Sequence, residues 1–159
     1  MLGREALAYA DALHNLARYL TGSSVEAEDL VQETYARALR GAAGFTPGTN
    51  LKAWLFRILR NTYIDLYRRQ RNDPTIGGLD TVEPMIEAVS NDGFDKLLAE
   101  DIERAMLSLT DEARTVILLD LEGLTEAEVA TVIGVPVGTV KSRLSRARAA
   151  LRLRLSDYR

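Results

Sequence analysis

Between Gly123 and Arg148 the chain spells out two short helices with their boundaries marked. Thr125-Glu126-Ala127-Glu128 is a capping box, in which a threonine hydroxyl and a carboxylate three residues on take up backbone donors that a helix start leaves unpaired. The helix it opens ends at Gly134, a residue type suited to a left-handed helix stop. Val135-Pro136-Val137-Gly138 and a fresh cap at Thr139 then predict a second helix from Val140 to about Leu153. This is the grammar of a helix-turn-helix. Ala130 is small enough to let the second helix cross closely, while Val129, Ile133, Val140 and Leu144 supply a shared apolar seam. The solvent side of the second helix presents Lys141, Ser142, Ser145, Arg146 and Arg148, short polar groups among cations able to reach phosphates and guanine edges in a major groove. A plain helical hairpin with a soluble basic last helix shares part of this pattern. The order of cap, small residue, glycine, second cap and basic face favours the DNA-binding form.

The rest of the chain also reads as helix. Leu13, Leu16, Ala17 and Leu20 recur at three and four in a segment spanning Leu7 to Leu20, which Thr21-Gly22 ends. Ser23 with Glu26 has the capping-box spacing, and Ala27, Leu30, Val31, Thr34, Ala38 and Leu39 form the next stripe, ending near Gly41. After the turn residues 45–50, Asn50 can cap a long helix reaching about Arg69, with Leu51, Trp54, Leu55, Ile58 and Thr62 as its buried stripe. Residues 72–93 carry Pro74, Gly77, Gly78, Pro84 and Gly93 with little period, the composition of a linker. Helical pattern returns with Leu97, Leu98, Ile102, Ala105, Met106 and Leu109, and Thr110 caps a further helix bearing Val116, Ile117, Leu118 and Leu121. No strand alternation or internal repeat is visible. The expected architecture is all-α: two small helical domains, residues 1–71 and 94–159, joined by a flexible acidic linker.

Composition narrows the function. The chain has 159 residues, no Cys and one His, His14, so a disulfide scaffold, thiol catalysis, a His-based triad and a zinc site are poor fits. No cofactor, metal site or small-molecule substrate is expected, and an enzyme is the least favoured class because no acid, base and nucleophile cluster together. No apolar run approaches a membrane span and no secretion leader is present, which predicts a cytoplasmic protein without membrane insertion. The net charge of −3 conceals a segregation of charge. Residues 51–71 sum to plus five, 72–103 to minus eight and 139–159 to plus six, two basic segments flanking an acidic one. Within the long helix, Lys52, Phe56, Arg57, Arg60, Asn61, Tyr63, Tyr67 and Arg68 interleave cations, aromatics and an amide. Such a face suits single-stranded nucleic acid, with bases stacked on rings and guanidinium groups along phosphates, although Phe56 is as easily core. Asp29, Gln32, Glu33 and Arg37 form one outward polar stripe on the second helix, either a solvated face or a docking face for a partner helix.

Three segments carry a family resemblance. Gly123–Arg148 resembles region 4 of the extracytoplasmic-function (ECF) sigma factors, the stretch Asp29–Leu39 resembles their region 2.2, and Asn50–Thr62, continuing to Arg69, resembles regions 2.3 and 2.4. The resemblance covers nearly the whole chain in family order. It implies a bacterial alternative-sigma transcription initiation factor whose partners are core RNA polymerase, promoter DNA and an anti-sigma factor. It assigns Asp29, Gln32, Glu33 and Arg37 to the polymerase clamp helices and the long-helix face to the promoter −10 element, with Asn61 foremost. Thr139, Lys141, Ser142, Arg143, Ser145, Arg146 and Arg148 fall to the −35 element. Two departures stand out: relatives often carry an aromatic where Ser145 stands and an arginine where Leu119 stands, which points to a different hexamer or a weaker grip on the backbone. A sigma-mimicking protein that sequesters an anti-sigma factor and a stand-alone helix-turn-helix regulator are the rival readings.

Overall fold

The computed structural model describes residues 2–68 and 93–155, and all regular structure among them is helical. The N-terminal unit comprises α1 (Leu2–Leu7), α2 (Ala10–Thr21), α3 (Ser24–Arg40), a 3-10 turn (Ala42–Gly44), α4 (Leu51–Tyr63) and a π-helical turn (Ile64–Arg68). The C-terminal unit comprises α5 (Gly93–Leu107), α6 (Asp111–Leu121), α7 (Glu126–Ile133) and α8 (Val137–Arg154). The expected linker, Gly93 apart, lies outside the described residues.

Most boundaries fall where local chemistry puts them. Gly22 ends α2 at φ 72°, in the left-handed region that glycine tolerates, and donates its N–H to the Arg18 carbonyl. Ser23, Asn50 and Thr110 each accept a backbone N–H at the start of α3, α4 and α6. The capping box of α7 is complete: Glu128 N–H donates to Thr125 Oγ1 at 3.1 Å and Thr125 N–H to Glu128 Oε1 at 2.8 Å. That backbone bond, with a side-chain bond from Asn50, holds the Glu128 carboxyl below the usual range. Because the folded value is depressed, this contribution is present above the ordinary glutamate range and is lost as pH falls through the lowered value. Thr125→Ala is expected to cost about 1 kcal/mol of unfolding free energy. Thermal denaturation reads it, and an unchanged midpoint would contradict the capping account.

Several expectations shift. The helix expected over Leu7–Leu20 is α2, which starts only at Ala10, and the short α1 that precedes it across Ala8–Tyr9 was not anticipated. Leu39 (64% exposed), Ile102 (42%) and Leu121 (73%) lie outside the core despite their stripe positions. The larger change concerns α4, where Trp54 and Ile58 are only half-buried while Phe56, Leu59 and Tyr63 join Leu51, Leu55 and Thr62 inside. Helix α4 is covered on two sides, by α2 and α3 of its own unit and by α7 of the other. One connected apolar core therefore runs from Leu13, Leu16, Leu30 and Leu55 through to Val116, Leu119, Val129 and Leu144.

Candidate nucleic-acid and partner interfaces

Helix α8 is held from beneath and presents its basic side outward. Val140, Leu144 and Ala147 are buried, with Val129 and Ile133 of α7 across the seam, as the helix-turn-helix pattern requires. Gly134 makes the turn at φ 73°, its N–H and that of Val135 both donating to the Ala130 carbonyl, at 2.8 and 3.2 Å. The second helix starts earlier than Thr139 suggests: Pro136 is the N-cap residue and Val137 the first helical one, so Thr139 sits half-buried inside the first turn rather than capping it. Pro136 presets the backbone dihedral for a helix entry without any side-chain bond. Lys141, Ser142, Ser145 and Arg146 are exposed. Ser142 Oγ donates to the Gly138 carbonyl at 3.0 Å, while Arg148 pairs with Asp120 of α6 at 2.8 Å. Arg143 is half-buried in the cleft between the two units, beside Asp111, Glu112 and Arg60. Leu119 is fully buried in the core.

The α4 residues divide into two groups. Arg57 and Asn61 are exposed, and Tyr67 is half-buried with its ring parallel to that of Tyr63, centroids 6.4 Å apart. Arg68 closes the π-helical turn. Lys52, Phe56, Arg60 and Tyr63 follow i, i+4, i+8 and i+11, a single face, and this face meets the C-terminal unit. Lys52 Nζ lies 2.8 Å from Glu122 Oε1 and donates to the Glu122 carbonyl at 2.7 Å. Tyr63 OH donates to Asp111 Oδ2 at 3.2 Å, and Asn50 Nδ2 to Glu128 Oε2 at 2.7 Å. Phe56 is 0% and Tyr63 2% exposed, so neither ring can receive a base in this arrangement. A further bond joins the units where Arg114 Nη1 donates to the Tyr19 carbonyl at 2.9 Å. Nothing in sequence marked Asp111, Glu122 or Glu128 as partners of this helix and its cap, because their pairing depends on how two distant segments are placed.

On α3 the polar stripe is in place, but it is not merely solvated. Asp29 and Gln32 are exposed. Glu33 bonds Arg37 at 3.1 Å and Arg40 at 3.3 Å, and Arg37 reaches across to Asp65 of the π-helical turn at 2.9 Å. The bond from Arg37 holds the Glu33 carboxyl below the usual range, and Asp65 with Glu33 raises the Arg37 guanidinium further. Arg37 thus links the stripe to the segment that carries Tyr67 and Arg68. Among the described residues no cluster of His, Asp and Glu is arranged to hold a metal ion, and no helix is long and apolar enough to cross a membrane.

The structure thus holds two helical units, one of them a helix-turn-helix whose second helix presents exposed Lys141 and Arg146. Residues 6–72 match the family model of Sigma-70 region 2, and residues 99–151 that of Sigma-70, region 4. The chain is 38% identical over 157 residues to the ECF RNA polymerase sigma factor SigE of Mycolicibacterium smegmatis, covering 94% of this chain and 60% of that protein. It is 35% identical over 148 residues to the ECF RNA polymerase sigma factor EcfG of Rhodopseudomonas palustris, covering 92% of this chain and 81% of the relative. Among solved structures it resembles the sigma factor RpoE of Bartonella quintana in complex with the anti-sigma factor NepR, with a TM-score of 0.81, 32% identity, and 98% and 97% of the two chains covered. The chain belongs to the ECF branch of the sigma-70 RNA polymerase sigma factors.

Proposed function

We propose that this protein is an alternative-sigma initiation factor that binds core RNA polymerase, recognises −35 and −10 promoter elements and helps open the duplex. It acts in the cytoplasm, and the polymerase, not this chain, supplies the chemistry. The observation that carries the reading is the exposed basic side of α8 on a buried helix-turn-helix seam, joined in one chain to α4 with its own cations, rings and amide. In this reading Lys141, Ser142, Ser145 and Arg146 enter the −35 major groove, Arg143 and Arg148 hold backbone once released from their present neighbours, and Thr139 lies at the helix start. Asn61, Arg57, Tyr67 and Arg68 meet the opened −10 strand first, and Lys52, Phe56, Arg60 and Tyr63 complete that surface. Asp29, Gln32, Glu33 and Arg37 dock the clamp helices of the polymerase. Strand capture is a population shift, since unstacking a base costs a few kcal/mol and contacts open only to the flipped base offset it.

An anti-sigma factor is the expected regulator, in line with the complex that the Bartonella relative forms. A protein that only sequestered such a factor would have no use for exposed Lys141 and Arg146, nor for exposed Arg57 and Asn61. The test is Asn61→Ala in complex with core polymerase, on promoters found by mapping transcript starts. Asn61 is exposed, so its loss leaves the core packing intact. Losing its contact to a flipped base is expected to lower open-complex formation by about tenfold, the low end for a 1–3 kcal/mol base contact. Polymerase affinity should not change. Unaltered opening, read by permanganate reactivity of −10 thymines, would remove Asn61 from the site.

A further inference from the structure

We propose that Arg37 and Asp65 are positioning residues for the −10 surface: their ion pair ties the π-helical turn Ile64–Arg68 to α3 and so fixes where Tyr67 meets the opened strand. The inference rests on the proposed role of α4 and deepens it by naming what aims the end of that helix. The helix is regular as far as Tyr63 and then widens into a single π-helical turn, a rare form that in other helices often marks functional sites. The tie crosses 28 positions of sequence, with Arg37 Nη1 donating to Asp65 Oδ2 at 2.9 Å. On the other side of the same guanidinium, Nε donates to Glu33 Oε2 at 3.1 Å, one helical turn back, and Arg40 Nη2 reaches that oxygen at 3.3 Å. A guanidinium is planar with fixed N–H directions, so committing Nε to Glu33 points Nη1 at one place, and Asp65 occupies it. Tyr67 stands two residues further on. Its ring is parallel to that of Tyr63 within 7°, centroids 6.4 Å apart, and burial followed by the charges of Asp29, Glu26 and Glu33 pushes its hydroxyl up. The ring is thus set between α4 and the α3 stripe that carries the tie.

Electrostatics alone gives Asp65 no place in this segment. Its side chain is 58% exposed, two residues before Tyr67, where an unpaired carboxylate would repel the phosphates of a strand. Pairing with Arg37 cancels that charge and turns the acid into a tether. The tether adds little to the stability of the whole chain, because water reaches both partners. Its effect is local: helix ends fray, and a side-chain tie to a neighbouring helix suppresses that opening. A ring already in place when a base leaves the stack loses little further freedom on binding, so the strand is held more tightly. Neither Arg37 nor Asp65 has to touch DNA for this.

The sign of one substitution makes the test sharp. Removing an acid from a strand-binding surface tightens DNA binding if charge is all that matters. Asp65→Ala is instead expected to weaken binding about tenfold, the loss of about one stacked base, while leaving the thermal midpoint close to wild type. The probe is a fluorescein-labelled single strand carrying the −10 sequence found by mapping transcript starts, with a scrambled strand as control, bound to the full chain under saturating core polymerase. Arg37→Ala should weaken it as well, and the double variant should be no weaker than the weaker single, because both break one tie. The chain has no Cys of its own, so Arg37→Cys with Asp65→Cys can be bridged by a short reductant-cleavable crosslinker. Bridging should restore strand binding without restoring either charge, and reductant should abolish the rescue. Amide hydrogen exchange of residues 64–68 in the free chain reads the tie without DNA or polymerase, and both single variants should lose protection there. Asp65→Ala that binds the −10 strand as well as wild type or better, losses that add in the double variant, a bridge that rescues nothing, or unchanged exchange would each overturn the proposal. A wild-type complex with no preference for the −10 strand would refute the proposed function, while exchange at 64–68 would still decide whether Arg37 and Asp65 hold the turn.

Discussion

Lys141→Glu with Arg146→Glu is expected to abolish initiation at promoters that depend on a −35 element, while the protein still folds and still binds core polymerase. Both side chains are exposed on α8, whereas Val140, Leu144 and Ala147 on its other side are buried, so reversal changes the surface without disturbing the seam. Each cation lost from a phosphate lowers the salt slope of binding by about one, and the two new carboxylates add repulsion against a dense line of phosphate charge. Binding of −35 duplex should fall on the order of a hundredfold or more at moderate salt. Fluorescence anisotropy of the complex with core polymerase over a salt series measures both the affinity and the slope. Arg148→Glu is the instructive comparison: Arg148 is committed to Asp120 at 2.8 Å, so its reversal also removes an exposed ion pair between α6 and α8 worth less than about 1 kcal/mol. A double variant that initiates normally would move the −35 contact away from this face.

Leu144→Ala is the second large effect. Leu144 is 1% exposed in the seam between α8 and the helices beneath it, and truncating a leucine so placed costs about 2–5 kcal/mol. Domains of this size have only about 5–15 kcal/mol to lose. The thermal midpoint should drop sharply, and −35 binding with it, since α8 would no longer be held in place. Leu144→Met, which keeps the volume, should cost less than about 1.5 kcal/mol and retain binding. Equal effects from the two substitutions would show that the helix-turn-helix does not depend on this packing.

The parts of the fold that depend on neighbours in sequence were legible. Ser23, Asn50, Thr110 and Thr125 cap the helices they were expected to cap, and Val129, Ile133, Val140 and Leu144 form the seam, because caps and apolar periods act over three or four residues. Thr139 misled because a threonine before a helical run is the usual cap, whereas the Pro136 backbone had already set the start of α8. Helix α4 was read with one buried stripe. It has two, since packing against the other unit is a tertiary event that leaves no local period, and so Tyr63 is covered where an exposed ring was expected, while Phe56 takes the core alternative that its sequence position left open. The same reason hid the acids that hold Lys52, Asn50 and Tyr63. The bridge from Arg37 to Asp65, 28 positions apart, was equally invisible, although both residues are plain in the sequence.

Transcription in vitro tests the central claim most directly: core RNA polymerase on fragmented genomic DNA, with and without this protein, with transcript starts mapped by sequencing. The account predicts new starts that appear only with the protein and share two upstream elements spaced as −35 and −10, and that disappear with the Lys141→Glu, Arg146→Glu variant. Stable binding to core polymerase with no new start would contradict it and would favour a protein that engages the machinery without directing it to promoters.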